Sequence, residues 1–304
     1  MTRFILRRAW QGILTLLILA VIVFIMSRST GDPLNLMLPV DAPAEQRELM
    51  ERRLGLDRPL PEQFVAYMGD LLRGDLGTSI RHRTPVTEMF AERFPNSLGL
   101  ILPAFLLAWI IGVVLAVVAS TTKSRFLQQG LTIFATIGMA TPLFWLAIVF
   151  ILIFSVQLGW LPSSRMGGIQ HYILPVSALA FFLLAGIMRL VRSSMLESLG
   201  SEYIKLARIK GVSERKVVWS HALRNSMTSG LTFLGVYFSV LVTGSIVIEK
   251  VFAWPGAGRL LYDGIVARDY PLVQGVILIT AVLIVIVNIA FDILHAYLDP
   301  RVRL

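Results

Sequence analysis

The sequence has no cysteine, and only 15% of its 304 residues are charged. Without cysteine the chain cannot form disulfide bridges or use thiol chemistry, and nothing about its redox compartment follows. A water-soluble domain of this size needs more charged residues to cover its surface, yet 56% of these residues are hydrophobic. The composition therefore excludes an ordinary soluble domain.

Catalytic patterns are also missing. The chain contains neither the G-x-x-x-x-G-K-[ST] loop that binds nucleotide phosphates nor the H-E-x-x-H motif of zinc hydrolases, and no serine lies in a nucleophile elbow. The four histidines are too scattered for the spacing of metal ligands: His82, His171, His221 and His295. We therefore expect a protein that is not an enzyme, with no catalytic residue and no metal or cofactor bound by this chain.

Long apolar runs are what the sequence has instead. A bilayer-crossing helix needs roughly 17 to 25 apolar residues. Six runs meet this length, at about 5–26, 98–120, 131–156, 172–191, 228–248 and 272–294. Because each run is continuous rather than alternating, it favours a helix over a strand. The predicted fold class is all-α, a polytopic membrane protein with six transmembrane helices.

Basic residues concentrate on one side of this predicted topology. With six spans both termini lie on the same side, which receives 15 of the 28 basic residues but only four of the 19 acidic residues. The positive-inside rule identifies this side as the cytoplasm. The pI near 10.2 is thereby explained by topology and by contact with membrane lipid, so it does not indicate a nucleic-acid partner.

The largest segment between spans, residues 27–95, is predicted to lie outside. Its stretches "PEQFVAYMGDLL" (61–72) and "TPVTEMFAERF" (84–94) each place apolar residues on one helical face, which predicts two short helices. Asn96 is then a candidate cap for a second span that begins separately, near residue 98.

Several other residues carry expectations about the bundle. Pro142 in "GMATPLFW" predicts a kink within the third span. Trp160 and Trp254 occupy positions typical of the aromatic belt at the outer membrane interface. The mixed stretch 251–271 is expected to fold back against the outer face of the bundle. Asp292 is costly in lipid and lies near His295 and Arg301 at the inner end of the last span, so an anchoring pair or an interface contact is expected there rather than proton coupling.

A polar, basic stretch interrupts the apolar runs on the cytoplasmic side: "EYIKLARIKGVSERKVVWSHALRN", residues 202–225. Ser201 and Ser213 can each cap a short helix that starts with an acidic residue, and Gly211 between these helices permits a sharp turn. Contact with anionic lipid headgroups explains the basic residues. It does not explain the small surface formed by Ala207 and Gly211, which suits docking into another protein. The residues alone leave both interpretations open.

This stretch resembles the cytoplasmic coupling loop, or EAA motif, of ABC importer permeases, and more narrowly that of the dipeptide, oligopeptide and nickel permease family. The likeness covers almost the whole chain in order, through "FILRRAWQGILTLLILAVIVF" (4–24), "LGLDRPLPEQF" (54–64), "LLRGDLGTSI" (71–80), "GSIVIEKVFAWPGAGRLLYDGIVARDYPLVQG" (244–275) and "LDPRVR" (298–303). The wider motif opens Glu-Ala-Ala, whereas the matching residues here run "ARIKG" from Ala207 to Gly211. That form is usual for the peptide subgroup.

The resemblance implies a type I ABC importer permease fold in a bacterial or archaeal inner membrane. It further implies a second, non-identical permease subunit as partner, two cytoplasmic ATPases that use ATP and Mg²⁺, and an extracytoplasmic binding protein that delivers cargo. The residues it assigns to the ATPase-coupling loop are Glu202, Ala207, Arg208, Lys210, Gly211 and Ser213. The corresponding domains are 1–93 for the first span and outer segment, 94–294 for the transmembrane core with the loop at 192–226, and 295–304 for the tail.

Two further groups are candidates for transport. One face of the fifth span carries small and polar residues that either pack against another helix, the favoured interpretation, or line the translocation path: Thr232, Gly235, Ser239 and Thr243. On the outside, four charged residues are candidates for contacting the binding protein or gating the path: Arg259, Asp263, Arg268 and Asp269.

The predicted function is import of di- or oligopeptides. Nickel chelates, glutathione, opines and sugars are alternative cargoes that nothing in this chain distinguishes. An ion-coupled secondary transporter is a second class, but it predicts inverted repeats and paired buried ionisable residues, which the sequence does not show. A receptor or scaffold without transport needs neither the coupling turn nor the polar face of the fifth span.

Overall fold

The computed structural model describes residues 2–29, 43–53 and 56–298. Within these ranges the regular elements are helical, apart from an isolated bridge between Thr78 and Pro85. In chain order the helices are α1 (Thr2–Ser29), α2 (Ala44–Arg53), α3 (Leu60–Leu72), α4 (Val86–Thr121), α5 (Arg125–Ala140), α6 (Leu143–Phe150, extended by a π-helical stretch, Ile151–Gln157), α7 (Gln170–Leu199), α8 (Glu202–Ile209), α9 (Glu214–Lys216, extended by a π-helical stretch, Val217–Ala222), α10 (Leu223–Thr232), α11 (Leu234–Val251), α12 (Ala257–Val266) and α13 (Tyr270–Leu298).

Five of the described helices are long and apolar enough to cross a membrane: α1, α4, α7, α11 and α13. The pair α5 and α6 forms a sixth candidate span, but the helix axis bends by 107° between its two halves. The predicted all-α membrane fold is confirmed, whereas the kink expected at Pro142 is a sharp break. Thr141, which precedes the proline, is extended with φ −80° and ψ 123°, because proline disfavours the helical conformation of the residue before it.

Helix α4 is 36 residues long. At 1.5 Å per residue it extends for about 54 Å, so it projects well beyond a hydrocarbon core of about 30 Å. The separate outer helix predicted at 84–94 and the second span are therefore one element, and the predicted capping role of Asn96 is wrong. The domain boundary expected after residue 93 falls inside this continuous helix.

Helix α7 lies at the centre of the bundle, and 61% of the residues in its most apolar stretch are buried. Small residues let its neighbours approach closely: a Cβ on Gly112 of α4 would touch Ile187, and one on Gly138 of α5 would touch Ala185. Close backbone approach of this kind is how membrane helices gain packing energy without a hydrophobic driving force.

Helix α1 lies at the edge of the bundle, and only 22% of the residues in its most apolar stretch are buried. It packs against α13, where Gly12 meets Val285. Arg8 Nε lies 3.2 Å from Asp292 Oδ2. The anchoring pair expected for Asp292 is thus confirmed, with Arg8 as the partner; Arg301, which the sequence places nearby, lies outside the described residues.

Candidate functional sites on the two faces of the bundle

Gly211 ends helix α8 in a left-handed conformation, with φ +78°. The N–H of Val212 donates to the Ala207 carbonyl at 3.1 Å, and the N–H of Gly211 donates to the Arg208 carbonyl at 2.9 Å. These two bonds define a Schellman turn, which strongly prefers glycine at this position. The sharp turn expected at Gly211 is confirmed. Ser201 and Ser213 lie at the N-cap positions of α8 and α9, as expected, but neither side chain makes a capping hydrogen bond within the described part of the chain.

Two ion pairs occupy the charged residues of this loop. Arg208 crosses the turn to Glu214, with Nε 2.7 Å from Oε1 and a second nitrogen 3.3 Å from Oε2. Lys205 Nζ lies 2.7 Å from Glu202 Oε1 within α8. Lys210 at the end of α8 is exposed.

Helix α8 exposes an apolar face that was not predicted from the sequence. Tyr203, Leu206 and Ile209 are 42%, 52% and 82% exposed. They recur every third residue, so they share one side of the short helix, and this spacing was the available signal. Ala207 instead packs partly against the core, and no atom of the described residues lies within 4 Å of the position that a Gly211 side chain would take. This face, Tyr203, Leu206 and Ile209, is called the α8 apolar face below.

The loop is firmly attached to the transmembrane bundle. Ile204, Val217 and Ala222 are fully buried in the main core. The Ser198 hydroxyl, at the inner end of α7, hydrogen-bonds Tyr203 and also donates to the Ala222 carbonyl. These contacts join α8 to the inner end of α7 and to the start of α10.

The small-residue face of the fifth span packs against the last span. Gly235 is buried, and a Cβ there would collide with Asn288 Oδ1. Asn288 Nδ2 donates to Ser239 Oγ at 3.1 Å, while Thr243 is exposed. The side chain of Thr232 lies outside the described residues. Asn288 was not singled out from the sequence, although an amide within a continuous apolar span was a signal.

On the outer face, Trp254 ties the 251–271 stretch to α4. Its side chain is fully buried, and its indole N–H donates to the Asn96 carbonyl at 3.0 Å. The Asn96 amide donates in turn to the Pro255 carbonyl at 2.9 Å. The stretch folds back as expected, while Trp254, predicted for the interfacial aromatic belt, is covered by protein. Trp160 is 69% exposed, as an interfacial residue should be.

Asp269 is fully buried at the start of α13. Its carboxylate accepts hydrogen bonds from the Ser79 hydroxyl at 2.5 Å and from the backbone N–H groups of Ile80, Arg81 and Leu272, at 3.1, 3.1 and 3.3 Å. It thus fastens the turn after α3 to the last span. In this arrangement the carboxylate does not reach the surface.

The other outer candidates remain at the surface. Asp263 Oδ1 lies 3.6 Å from Lys250, and its Oδ2 lies 3.6 Å from Arg259. Arg259 also donates to the Ala253 carbonyl at 2.7 Å, whereas Arg268 is exposed. Arg259 and Asp263 line an outward cleft of about 290 Å³ together with α4 residues such as Arg93.

A second cleft, of about 240 Å³, lies between α4, α11, α12 and α13. Its lining is apolar except for three hydroxyls, those of Ser97, Ser245 and Thr280. These residues come from three different spans and are far apart along the chain, so no local sequence pattern predicts that they meet.

The described residues form a helical bundle with five membrane-length helices, a sixth candidate span broken between α5 and α6, and a helix–turn–helix attached at one face. The family model for the binding-protein-dependent transport system inner membrane component matches residues 110–304, and the N-terminal model of the same system matches residues 1–101. The chain belongs to this family. It is a multi-pass permease subunit of the inner membrane.

Relatives match over the full length. A putative peptide transport system permease protein of Brucella abortus is 41% identical over 312 residues, covering 100% of this chain and 99% of the relative. The glutathione transport system permease protein GsiC of Salmonella paratyphi A is 40% identical over 305 residues, with the same two coverages, 100% and 99%.

Solved structures share the fold. The MetNI methionine ABC transporter, in an inward-facing conformation, matches with a TM-score of 0.61 and 16% identity over 69% of this chain and 96% of that chain. An amino acid ABC transporter matches with a TM-score of 0.54 and 18% identity over 71% of this chain and 94% of that one. The fold is therefore that of ABC importer permeases.

Proposed function

We propose that this permease carries small peptides into the cytoplasm, driven by ATP that separate subunits hydrolyse with Mg²⁺, and that the α8 apolar face and the Gly211 turn are where such an ATPase docks. The observation that carries the docking proposal is the exposed side of α8. Three apolar side chains at the surface of a short, charged loop favour a protein interface over a solvated one.

Attachment of the loop supports its role in coupling. Ile204 fixes one end of the loop in the core and Ala222 fixes the other, so a partner that pulls on α8 also moves α7 and α10. The open space above Gly211 leaves room for the partner's backbone to approach.

Small peptides are the best-supported cargo. One relative is named for peptide transport and another for glutathione, and glutathione is itself a tripeptide. Glutathione is accordingly the second candidate cargo, while nickel chelates, opines and sugars have no such support. A second homologous permease and an extracytoplasmic binding protein complete the proposed machine, the latter supported by the family's own description.

Gly74 provides a matched control for the docking surface. It ends α3 with φ +79°, and within the described part of the chain no atom lies within 4 Å of the position that an added Cβ would take. The N–H of Asp75 donates to the Asp70 carbonyl at 2.9 Å, and that of Gly74 to the Leu71 carbonyl at 3.0 Å. This is the same Schellman turn on the opposite side of the membrane, so a tryptophan at either glycine has the same local conformational cost.

The experiment purifies tagged full-length protein in mild detergent, identifies bound proteins by mass spectrometry, and measures uptake of a labelled tripeptide into cells. We expect a P-loop ATPase and a second permease to copurify with the wild type and with Gly74→Trp. Gly211→Trp should reach the membrane but lose both the ATPase and uptake. Equal effects of the two substitutions would refute the docking surface, and uptake that an uncoupler abolishes at constant ATP would refute ATP coupling.

A further inference from the structure

Glu249, near the outer end of the fifth span, is fully buried. A carboxyl group inside a membrane bundle is costly and calls for a specific role. Its Oε2 accepts a hydrogen bond from the backbone N–H of Arg259 at 2.9 Å, and the Gly258 N–H also faces the carboxyl. Both donors belong to the first turn of α12, where helical N–H groups lack partners within the helix. The carboxyl group thus holds the start of α12 against α11.

The chain around this carboxyl is shaped to admit it. A Cβ on Gly256 would collide with all three terminal atoms of Glu249, and a Cβ on Gly258 would lie 2.7 Å from the Ile246 backbone. The two glycines of "PGAG" therefore leave the space that Glu249 occupies. Neither glycine has a positive φ, so close approach, and not backbone conformation, accounts for them.

The start of α12 is also hydrogen-bonded to α4. Ser97 Oγ accepts a hydrogen bond from the Ala257 N–H at 2.8 Å, directly beside the residues that Glu249 holds. Next to it the outer ends of α4, α12 and α13 share one apolar cluster: Val86, Phe90, Ala257, Leu260, Leu272 and Val276. Glu249 is thus a buried polar connection between the fifth span and the start of α12, beside this outer cluster.

We propose that Glu249 is a positioning residue for transport: it fixes α12 to α11 and α4 so that the outer end of the bundle moves as one unit. This inference rests on the proposed transport function. Glu249 acts as a hydrogen-bond acceptor and not as a site for cargo or protons. A glutamine at this position can keep an oxygen where Oε2 lies, so the Arg259 N–H retains its acceptor.

The proposal predicts that Glu249→Leu impairs uptake more than Glu249→Gln does. Glu249→Leu leaves the buried donors of α12 without an acceptor, and maximal uptake should fall about tenfold with little change in the apparent KM and with the ATPase still copurifying. Glu249→Gln keeps Oε2's role and should restore uptake to within about twofold of wild type. Equal loss in the Gln and Leu variants would overturn the proposal, because charge would then be the requirement.

The distance between spin labels on α4 and α12 tests whether these two helices move as one unit. Since the chain has no cysteine, cysteines placed at the exposed positions Glu88 on α4 and Ile265 on α12 can carry spin labels without background. In the assembled complex, wild type should give one narrow distance distribution that is the same with and without ATP, and Glu249→Leu should broaden it. A wild-type distance that shifts with ATP, or an unchanged distribution in Glu249→Leu, would overturn the proposal.

A second variant covers the case in which Glu249→Leu does not fold. Gly256→Ala inserts a methyl group where the carboxyl lies and should broaden the same distribution, whereas Gly69→Ala on α3 meets no atom within 4 Å and should not. Equal distributions in the two alanine variants would also overturn the proposal. Failure of the wild-type complex to take up peptide would refute the transport function instead, and the distance measurement distinguishes the two results.

Discussion

Arg208 and Glu214 form a two-point ion pair across the Gly211 turn, with Nε 2.7 Å from Oε1 and the second nitrogen 3.3 Å from Oε2. The pair joins the end of α8 to the start of α9 and so closes the helix–turn–helix on itself. Both side chains are partly exposed, at 42% and 65%. An exposed pair contributes little stability, so its effect is to narrow the range of angles between the two helices.

Reversing one charge should loosen this turn. Arg208→Glu places two carboxylates beside each other and should lower peptide uptake about two- to threefold, the effect of roughly 0.5 kcal/mol. The double variant with Glu214→Arg restores opposite charges and should recover uptake. A double variant as impaired as Arg208→Glu would show that Arg208 contacts the ATPase and not mainly Glu214. The Lys205–Glu202 pair does not cross the turn, so Lys205→Glu should have the smaller effect.

Asp269 should be needed for the stability of the outer segment. In Asp269→Asn the amide group faces N–H donors and leaves at least one without an acceptor, which costs about 1 to 3 kcal/mol. We expect a lower unfolding temperature in detergent, measured by size-exclusion chromatography of samples heated to a series of temperatures. Asp70→Asn is the control, because Asp70 is exposed and lies 4.0 Å from its partner Arg73. Equal unfolding temperatures of the two variants would contradict the role of Asp269.

A side chain added at Gly235 should displace the Asn288 side chain and loosen the contact between the fifth and last spans. Gly235→Ala would collide with Asn288 and should lower the unfolding temperature, whereas Gly130→Ala meets no atom within 4 Å and should leave it unchanged or slightly higher, since alanine favours helix. Adding Asn288→Ala should partly restore stability. A Gly235→Ala protein that is fully stable but fails to transport would instead favour the translocation-path interpretation of this face.

Tyr67 of the outer segment should make stability fall at alkaline pH. Burial raises the pKa of its phenol from 10.0 to about 12, and the hydroxyl has no hydrogen-bond partner among the described residues. Between these values the unfolded chain releases a proton that the folded chain keeps, so the free energy of unfolding decreases as pH rises. Tyr67→Phe should remove this part of the pH dependence without loss of stability at pH 7. A difference between the two proteins that persists unchanged from pH 8 to 11 would contradict the assignment.

The sequence predicted the spans well and their boundaries poorly, for physical reasons that particular residues show. Continuous apolar runs identify bilayer-length helices because lipid offers backbone groups no alternative partner. Asn96, the predicted cap of the second span, suggested a break at the outer interface, yet α4 continues through it. Its outer end is held by Leu272 and Val276 of a helix nearly two hundred residues away, a contact that no local pattern contains. At Pro142 the sequence correctly predicted a kink, but the bend in the structure is sharper than that prediction.

The sequence by itself determined the class of protein, the cytoplasmic position of the 202–225 loop and the glycine turn at Gly211. These follow from local properties: hydropathy over a bilayer length, the distribution of basic residues, and the backbone freedom of glycine. Only the tertiary structure decided which polar residues are buried and what they hold. Asp269 looked like a surface charge and Glu249 drew no attention, yet both carboxyl groups are buried because folding brings the unpaired N–H groups of a turn or a helix start against them, and that meeting depends on the whole bundle.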